Sequence, residues 1–532
     1  MAGMPRTRSS LWASKPLDRL LAEAAGERRL RRVLGPLQLT SIGVGAVIGA
    51  GIFVSTGAVA RQVAGPALML SYVVAGLVCV FAALCYAELA SMVPVAGSAY
   101  TYAYATLGEL FAWILGWDLV LEYAVASATV ATGWSSHFQN LTALAGWRLP
   151  PRLTGPVVTY NAVHGRLEAT GAWFNLPALV VVVAICGVLI VGVRRSAGLN
   201  TALVVLKVAA VLFVIAVGAF FVKTANWHPF APFGLAGINL FGKPLLGQVD
   251  AGGKPIGMLA GAALAFFAYI GFDSVSTHAE EAKRPARDVP IGIVASLLLC
   301  TVLYIAVVAV LTGMVPYREL DMGAPVADAF GRAGLQWARV LIDVAAIAGI
   351  TSVLLVQMQS QARILLAIAR DGLLPAGFFA AVHERFGTPW KSTLATGLLV
   401  ATLASLLPID VLLMLVNMGT LLAFIVVCAA VLVMRRTHPG AARPFRAPLV
   451  PLVPVLGIAS CFLLMLSLPP ENWLRLVVWL GIGLVIYFGY GRRHSRLAAD
   501  AAAAAAGAAV KGLAAEGPAV EGRTATGTAA EG

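Results

Sequence analysis

A lone lysine inside a long apolar segment is the first residue of this sequence whose chemistry needs an explanation. Lys207 lies in the run LNTALVVLKVAAVLF, about 10 Å along a helix from Asn200 at the segment's start. An ionisable side chain at such a depth in a membrane is by default a functional hypothesis. The alternative is an ammonium group that reaches back to the nearer surface along its aliphatic stem, which is a long way for one lysine.

Two carboxylates share one face of a second apolar segment. Asp118 and Glu122 are four residues apart, so a helix places them on the same side. Glu122 lies near mid-depth, where an unpaired charge costs at least ~2.5 kcal/mol. It must pair with a partner, hold a proton or act as a counter-charge, and a buried, protonated structural glutamate is an open alternative. Asp118 lies nearer the inner end and is expected to be structural.

Two glycine-rich segments could supply backbone groups at similar depth. SIGVGAVIGAGIFVSTG (41–57) has glycine at 43, 45, 49, 51 and 57, and LAFFAYIGFDSVS (264–276) places Gly271 beside Asp273. Glycine inside a helix costs roughly 0.5–1 kcal/mol relative to alanine, so its repeated use predicts helices that open. Freed backbone groups are tolerated at membrane depth only where they line a cavity or bind something. Close packing of small residues between helices is the alternative.

The groups freed at these two breaks have complementary polarity. N–H groups after the first break form a positive helix end, which suits a carboxylate. Carbonyls before that break and in the second segment suit an ammonium group. The predicted site therefore fits a zwitterionic α-amino acid. It consists of Ile48, Gly49, Ala50, Gly51, Ile52, Phe267, Ala268 and Ile270.

The bulk composition indicates that membrane helices position these residues. The chain of 532 residues is 59% hydrophobic and 12% charged, with a mean hydropathy of +0.86. A soluble protein has about twice that charged fraction. We predict an all-α membrane protein with twelve spans, each long enough for a hydrocarbon core of ~30 Å. The spans lie near 36–60, 66–92, 105–133, 175–193, 200–222, 258–281, 289–314, 342–369, 392–408, 410–434, 449–468 and 473–490.

The distribution of basic residues predicts the orientation. With the N-terminus inside, 26 Lys and Arg residues fall in or next to inner segments and 11 in or next to outer ones. Both termini are therefore expected in the cytoplasm. The net charge of +13 is this inner-face excess. A lipid bilayer is the expected environment. A nucleic-acid partner is not expected, because the sequence predicts no soluble domain that could bind nucleic acid. No cleavable signal peptide is expected in residues 1–35, which are charged.

Metal, redox and enzymatic chemistry have little support. All six cysteines fall inside predicted spans, without CxxC or Cys/His clusters, and are expected to be packing residues. No hydrolase or metalloprotease motif is recognisable. We therefore expect no metal, no cofactor and no catalytic residue.

The spans fall into two predicted halves. Spans 1–5 (36–222) and spans 6–10 (258–434) each open with a glycine-broken helix, and an odd number of spans makes the halves inverted in the membrane. Spans 11 and 12 (449–490) are accessory. Residues 1–35 form a cytoplasmic tail with a possible amphipathic helix at 16–34. Residues 497–532 form an Ala/Gly-rich tail that is expected to be disordered.

Several motifs resemble one transporter family. The pattern from Ser41 to Phe53 is similar to the first-helix signature of the amino acid–polyamine–organocation superfamily. FFAYIGFDSVSTHAEEAKRPARDVPIGI (266–293) resembles the sixth-helix signature of its cationic amino acid transporter branch. So do PVAGSAYTYAY (94–104), GWDLVLEY (116–123) and ARDGLLP (369–375). The resemblance covers roughly residues 30–490. It implies a five-plus-five inverted repeat, as in the sodium-coupled leucine transporter, with substrate at the two breaks.

The resemblance also implies roles for three side chains. Lys207 falls where proton-coupled relatives carry a lysine in place of a sodium ion, so we expect it to contact the unwound part of span 1 and couple protonation to transport. Glu122 would reach toward the substrate side chain, which suits a cationic amino acid. Gln357 falls in the side-chain pocket, where bacterial relatives often carry Met; an interhelical hydrogen bond is the alternative.

Candidate gating residues lie in and after span 6. Phe267 could close over substrate, although an aromatic residue in a helix is more often packing. Asp273 is expected to bond freed backbone groups. At the inner face, several charges could form a salt-bridge gate, with surface decoration as the alternative. These charges are Glu280, Glu281, Lys283, Arg284, Arg370 and Asp371. His278 is a weak candidate proton site.

These observations predict a secondary transporter of the bacterial inner membrane that imports an L-amino acid with protons by alternating access. One alternative is a uniporter or exchanger of cationic amino acids or polyamines. A rival of another class is a non-transporting amino acid sensor, although neither tail has room for a folded signalling domain. A small accessory membrane subunit is conceivable but has no signal in the sequence.

Overall fold

The computed structural model describes residues 12–16, 34–93, 95, 98–161, 166–192, 196–240, 243–500 and 503. Most of the predicted amphipathic helix (17–33) and nearly all of the C-terminal tail lie outside these residues. The α-helices are α1 (Pro36–Val47), α2 (Thr56–Val59), α3 (Leu68–Met92), α4 (Ser98–Thr106), α5 (Glu109–Leu144), α6 (Leu176–Val191), α7 (Ser196–Gly218), α8 (Met258–Ala265), α9 (Ser274–Thr277), α10 (Pro285–Met314), α11 (Pro325–Arg332), α12 (Gln336–Arg370), α13 (Ala376–Phe379), α14 (Trp390–Leu406), α15 (Ile409–Thr437), α16 (Leu452–Leu466), α17 (Pro470–Ile486) and α18 (Arg492–His494).

The architecture is helical, with a small strand content confined to two loops. Three two-stranded antiparallel sheets form: β1 (Val158–Asn161) with β2 (Arg166–Ala169), β3 (Ile238–Leu240) with β4 (Lys243–Leu246), and β5 (Gln248–Val249) with β6 (Pro255–Ile256). All of them lie in the two long loops expected on the outer side. The all-α expectation omitted these hairpins because short strands in polar loops carry little hydrophobic periodicity.

Eight helical stretches within the described residues are long and apolar enough to cross a membrane: 36–92, 109–144, 201–221, 258–277, 285–314, 336–370, 411–437 and 470–500. The first has 57 residues and includes both α1 and α3, which the sequence predicts to be separate spans. Two shorter apolar helices cover 176–191 and 452–466. The chain is therefore a helical integral membrane protein.

Both glycine-rich segments are interrupted. Helix α1 ends at Val47, and Ile48 is extended with φ −71° and ψ 106°. The chain then resumes as a π-helical turn, Gly51–Ser55. In the second segment, α8 passes into a 3₁₀ turn, Phe266–Tyr269, and the chain then opens at Ile270 (ψ 130°) before α9.

Gly271 lets the second segment approach the first. Its φ of +119° lies in a region that side-chain-bearing residues rarely adopt. A Cβ atom there would lie 2.8 Å from the carbonyl oxygen of Ala46. In the first segment, a Cβ atom built on Gly51 would overlap the backbone of Ala268 in the second. The two breaks are therefore in direct contact.

Candidate functional site

Lys207 of α7 reaches the first break. Its fully buried ammonium group donates to the carbonyl oxygens of Gly45 and Ile48, the latter at 2.9 Å, and to Ser352 Oγ at 2.9 Å. An ammonium group has three N–H donors, and each has an acceptor here. The lysine stem fits closely against α12, where Gly349 leaves room for it: a Cβ atom there would lie 3.2 Å from Lys207 Cβ. The side chain thus holds the end of α1 against α7 and α12.

A tyrosine of α10 joins the two breaks to each other. The Tyr304 hydroxyl oxygen lies 2.8 Å from the carbonyl oxygen of Val47 and 3.0 Å from that of Ala268. Those carbonyls belong to the last residue of α1 and to the 3₁₀ turn of the second segment. Ser352 donates to the carbonyl oxygen of Gly45 at 3.3 Å as well. Side-chain donors from the surrounding helices therefore satisfy backbone carbonyls that the breaks release.

Hydroxyl groups also surround Gly51 at the start of the π-helical turn. Its carbonyl oxygen accepts hydrogen bonds from Ser55 Oγ at 2.5 Å, from Thr56 Oγ1 at 3.2 Å and from the Tyr72 hydroxyl at 3.4 Å. The Tyr269 hydroxyl donates to the backbone carbonyl of Tyr72 at 2.8 Å. The first break is thereby tied to α3 and to the second break.

The structure brings the eight predicted backbone-site residues together, and all are buried. Some of the backbone groups in and next to these residues already form hydrogen bonds within the protein. The N–H groups of Ile52 and Phe53 both donate to the carbonyl oxygen of Gly49 at 3.2 Å, so neither N–H is unpaired in this structure. The Phe267 carbonyl accepts from the Ile270 N–H at 3.2 Å.

Asp273 and His278 lie on the C-terminal side of the second break, and both are hydrogen-bonded. Asp273 Oδ2 accepts a hydrogen bond from the Tyr123 hydroxyl of α5 at 2.7 Å, and its other carboxylate oxygen has no protein partner within the described residues. His278 Nδ1 lies 2.9 Å from the carbonyl oxygen of Ser274 and 3.1 Å from Thr277 Oγ1. Asp273 therefore links the second segment to α5.

Glu122 is buried on α5, where it lines a small cleft between α5, α15 and α17 together with Asp118. Asp273, which follows the second break, is close enough to interact with its charge. Gln357 is buried on α12, one turn beyond Val353, whose side chain fits against Gly49. The Gln357 Oε1 atom has no partner in the described part of the chain. Both helices that carry these side chains pack against the first break: α12 through Val353, and α5 at Gly133, where a Cβ atom would lie 3.4 Å from Ala50 Cβ.

Two of the charges predicted to form a salt-bridge gate pair with residues outside the predicted set. Glu281 Oε1 binds Arg363 at 2.7 Å, and Asp371 Oδ1 binds Lys15 at 2.9 Å. Lys15 and Arg363 lie far from their partners in sequence, so spacing could not suggest either pair. The side chain of Glu280 lies outside the described residues.

Four residues that serve the site were absent from the sequence-based prediction: Tyr72, Tyr123, Tyr304 and Ser352. Each has a single hydroxyl group within a membrane helix, which is a weak signal because such hydroxyl groups commonly bond a neighbouring helix. Their role becomes clear only from their hydrogen-bond partners, which are the carbonyls of the breaks and Asp273.

Comparison with known proteins identifies the class to which this protein belongs. Residues 34–487 match the family model described as amino acid permease, and the chain belongs to this family within the amino acid–polyamine–organocation superfamily. Membership indicates a transporter rather than an enzyme.

Individual relatives differ in their cargo. The methylthioribose transporter of Bacillus subtilis is 45% identical over 489 residues, which is 92% of this chain and 99% of that protein. The branched-chain amino acid permease BcaP of the same organism is 45% identical over 491 residues, with the same coverage. The vacuolar cationic amino acid transporter 4 of Arabidopsis thaliana is 37% identical over 442 residues, 81% of this chain and 68% of that protein.

Proposed function

We propose that this protein imports a neutral L-amino acid together with protons, by alternating access around the two breaks. The observation that carries the proposal is the Lys207 ammonium group, whose three acceptors include two carbonyls of the first break. In the proposed architecture, twelve spans form two inverted five-helix repeats plus two accessory helices. The protein resides in the bacterial inner membrane with both termini in the cytoplasm.

Loss of the Lys207 proton provides the coupling step. A neutral amine has two N–H donors and a lone pair, so one of its three acceptors loses its donor and faces the amine lone pair instead. A buried acceptor without a donor costs roughly 1–3 kcal/mol. The end of α1 is then held less firmly against α7 and α12. Protonation therefore favours one arrangement of the first break and deprotonation another, which is the differential interaction that a coupled transporter needs.

Substrate binding uses the backbone N–H and carbonyl groups at the breaks. The carboxylate binds at the first break, near Gly49, Ala50 and Gly51, and the ammonium group binds carbonyls of the second segment. Tyr304 bonds the Ala268 carbonyl, so the substrate ammonium group competes with or joins that hydroxyl. Arg475 lines the same cleft as Glu122 and can balance its charge, which favours a neutral substrate side chain over a cationic one. The branched-chain cargo of one relative agrees with this choice.

Uptake by proteoliposomes tests the proposal. Labelled alanine, isoleucine and arginine are offered with and without an inside-alkaline pH gradient, and methylthioribose is added as a competitor. We expect gradient-driven uptake of the neutral amino acids. Arginine uptake that ignores the gradient would instead support a cationic uniporter, and ligand binding without flux would support a sensor.

A matched pair of lysine variants isolates the coupling residue. Lys207→Met keeps the stem but removes the donors, and we expect it to abolish gradient-driven accumulation. Lys223→Met removes an exposed lysine of an outer loop and should leave accumulation unchanged. Full proton-driven accumulation by folded Lys207→Met protein would refute the coupling role.

A further inference from the structure

A small cleft with both apolar and charged side chains in its wall lies between α5, α15 and α17. Its volume of about 20 Å³ has room for about one water molecule. Its polar lining comes from four side chains: Asp118, Glu122, Asn472 and Arg475. Leucine and methionine side chains complete the wall. A site of this size accepts water or a single small cation and excludes an organic amine.

Two carboxylate oxygens are left without a partner at this cleft. Asp118 and Glu122 are 1% and 3% exposed. Asp118 Oδ2 and Glu122 Oε2 have no hydrogen-bond partner within the described residues. Buried polar atoms in native proteins are usually bonded, and exceptions often mark an unseen water or ion. The unpaired carboxylate oxygens therefore make the cleft suitable for a bound water molecule or ion.

Gly419 of α15 makes the space that Asp118 occupies. A Cβ atom at this position would lie 2.9 Å from Asp118 Oδ1 and 3.3 Å from both Asp118 Cγ and Oδ2. Any larger residue would press on the carboxyl group. The carboxyl group of Asp118 therefore depends on a neighbouring helix for its position.

The charges around the cleft fit one retained proton. Two carboxylates one helical turn apart in a buried site cannot both ionise without strong mutual repulsion. Arg475 lines the opposite wall, with Nη1 3.4 Å from Asn472 Oδ1, and its guanidinium group can balance one negative charge. It forms no ion pair within 4.0 Å with either carboxylate among the described residues. One proton on the carboxylate pair leaves the cleft close to neutral.

We infer that this cleft is a second proton-binding site, in which a water molecule and one proton are shared by Asp118 and Glu122. It adds to the proposed function a proton store separate from Lys207, and only its use in transport rests on that proposal. The titratable or charged groups that face the pair are Tyr123 on α5, Arg475 on α17, Asp273 in the second segment and Tyr86 on α3. The residues of α15 that line the cleft carry no titratable side chain.

A short connection leads from this site to the second break. Tyr123 directly follows Glu122 on α5 and donates to Asp273 at 2.7 Å. Asp273 lies two residues after Gly271, at the start of the inner half of the segment. Protonation of the pair therefore changes the charge next to the helix whose opening is proposed to admit substrate.

Infrared spectroscopy of the purified full-length protein tests the inference without requiring transport. A protonated carboxyl group has a C=O stretch above the amide band, and that stretch shifts in D₂O. Exposed carboxylates are ionised at neutral pH, so a carboxylic acid band at pH 7 reports a buried acid. We expect such a band in the wild type and its complete loss in the double variant D118N/E122Q. Each single variant should change its frequency or area.

Two further variants control the assignment. Asp343→Asn removes an equally buried carboxylate whose oxygens are bonded by His137 and Asn140, at 2.7 and 2.8 Å, and should leave the band unchanged. Gly419→Ala removes no acid yet should shift the band frequency by crowding Asp118. A band that survives in folded D118N/E122Q protein, or one that sodium chloride abolishes while choline chloride does not, would overturn the inference. Proton-driven uptake that persists without the band would leave the proposed function intact and remove the cleft from it.

Discussion

At the scale of single residues, Tyr304 has the most direct control over both breaks. Its one O–H proton faces two carbonyl oxygens, at 2.8 Å for Val47 and 3.0 Å for Ala268. A hydroxyl can donate fully to only one acceptor at a time. Movement of either segment away from the other must therefore change which carbonyl this hydroxyl bonds, and the residue acts through the backbone of the site.

The phenylalanine variant at this position gives the first prediction. Tyr304→Phe keeps the ring and leaves both carbonyls without this donor, so we expect a loss of roughly 1–3 kcal/mol in unfolding free energy. The rate of substrate exchange should change two- to tenfold, because the hydrogen bond of the Tyr304 hydroxyl differs between the two arrangements of the broken segments. Thermal unfolding and exchange rates in proteoliposomes measure these effects.

Tyr490→Phe removes a hydroxyl from the helical turn Tyr487–Gly491, near the C-terminal end of the described chain, and as the control it should change neither. Unchanged stability and exchange in Tyr304→Phe would contradict the proposed link between the two segments.

At the scale of elements, the two broken segments were predictable because glycine has a cost inside helices that only a break or a close contact offsets. The direction of side chains was less accessible. The helical spacing of Asp118 and Glu122 correctly placed both on one face, but it could not tell which neighbouring helices that face meets. The structure places α15 and α17 there, with Asp273 of the second broken segment also near Glu122.

Gly271 gives a prediction about the second broken segment. Gly271→Ala requires φ near +119° and places a Cβ atom 2.8 Å from the Ala46 carbonyl oxygen. Strained backbone of this kind costs of order 1–3 kcal/mol, and the overlap adds to it. We expect a lower unfolding temperature and impaired transport, measured on the purified variant and in proteoliposomes.

Gly187→Ala is the matched control within a helix. Gly187 lies inside α6, and nothing lies within 4 Å of a Cβ atom built there. Alanine should therefore stabilise that helix by roughly 0.5–1 kcal/mol. If both variants shift stability in the same direction, the close approach of the two breaks is not what Gly271 serves.

At the scale of the whole molecule, both ends of the described chain meet beside α5 and α12. Lys15 Nζ binds Asp371 Oδ1 at 2.9 Å, and the backbone N–H of Arg496 donates to the Asp371 carbonyl oxygen at 3.0 Å. Glu109, at the start of α5, accepts hydrogen bonds from the hydroxyls of Tyr487 and Ser495. The first pair is separated by 356 residues, and nothing in the sequence pattern indicates that these charges meet.

This arrangement also ties the N-terminal segment to two different parts of the fold. Residues 12–16 contact α4, α5 and the end of α12, where the Lys15 N–H donates to the Tyr104 carbonyl oxygen at 3.0 Å. Leu34 instead pairs with the end of the second broken segment, with its N–H 3.0 Å from the Glu281 carbonyl oxygen. The N-terminal segment thus bridges a broken helix and the helices that pack around it.

Asp371→Asn should release the first of these attachments. The substitution removes the charge that Lys15 binds and weakens the 2.8 Å hydrogen bond from the Tyr100 hydroxyl, while its shape is kept. A hydrogen bond between charged groups contributes about 1.5–3 kcal/mol, less where it is partly exposed as here. We expect exchange of the Lys15 amide hydrogen with solvent to rise about tenfold, measured by hydrogen–deuterium exchange. Asp250→Asn, which changes an exposed acid of the β5–β6 hairpin, should leave that amide unaffected. Equal protection in both variants would mean that the backbone contacts alone hold residues 12–16 in place, and the charge pair would then have no part in attaching this segment to α4, α5 and α12.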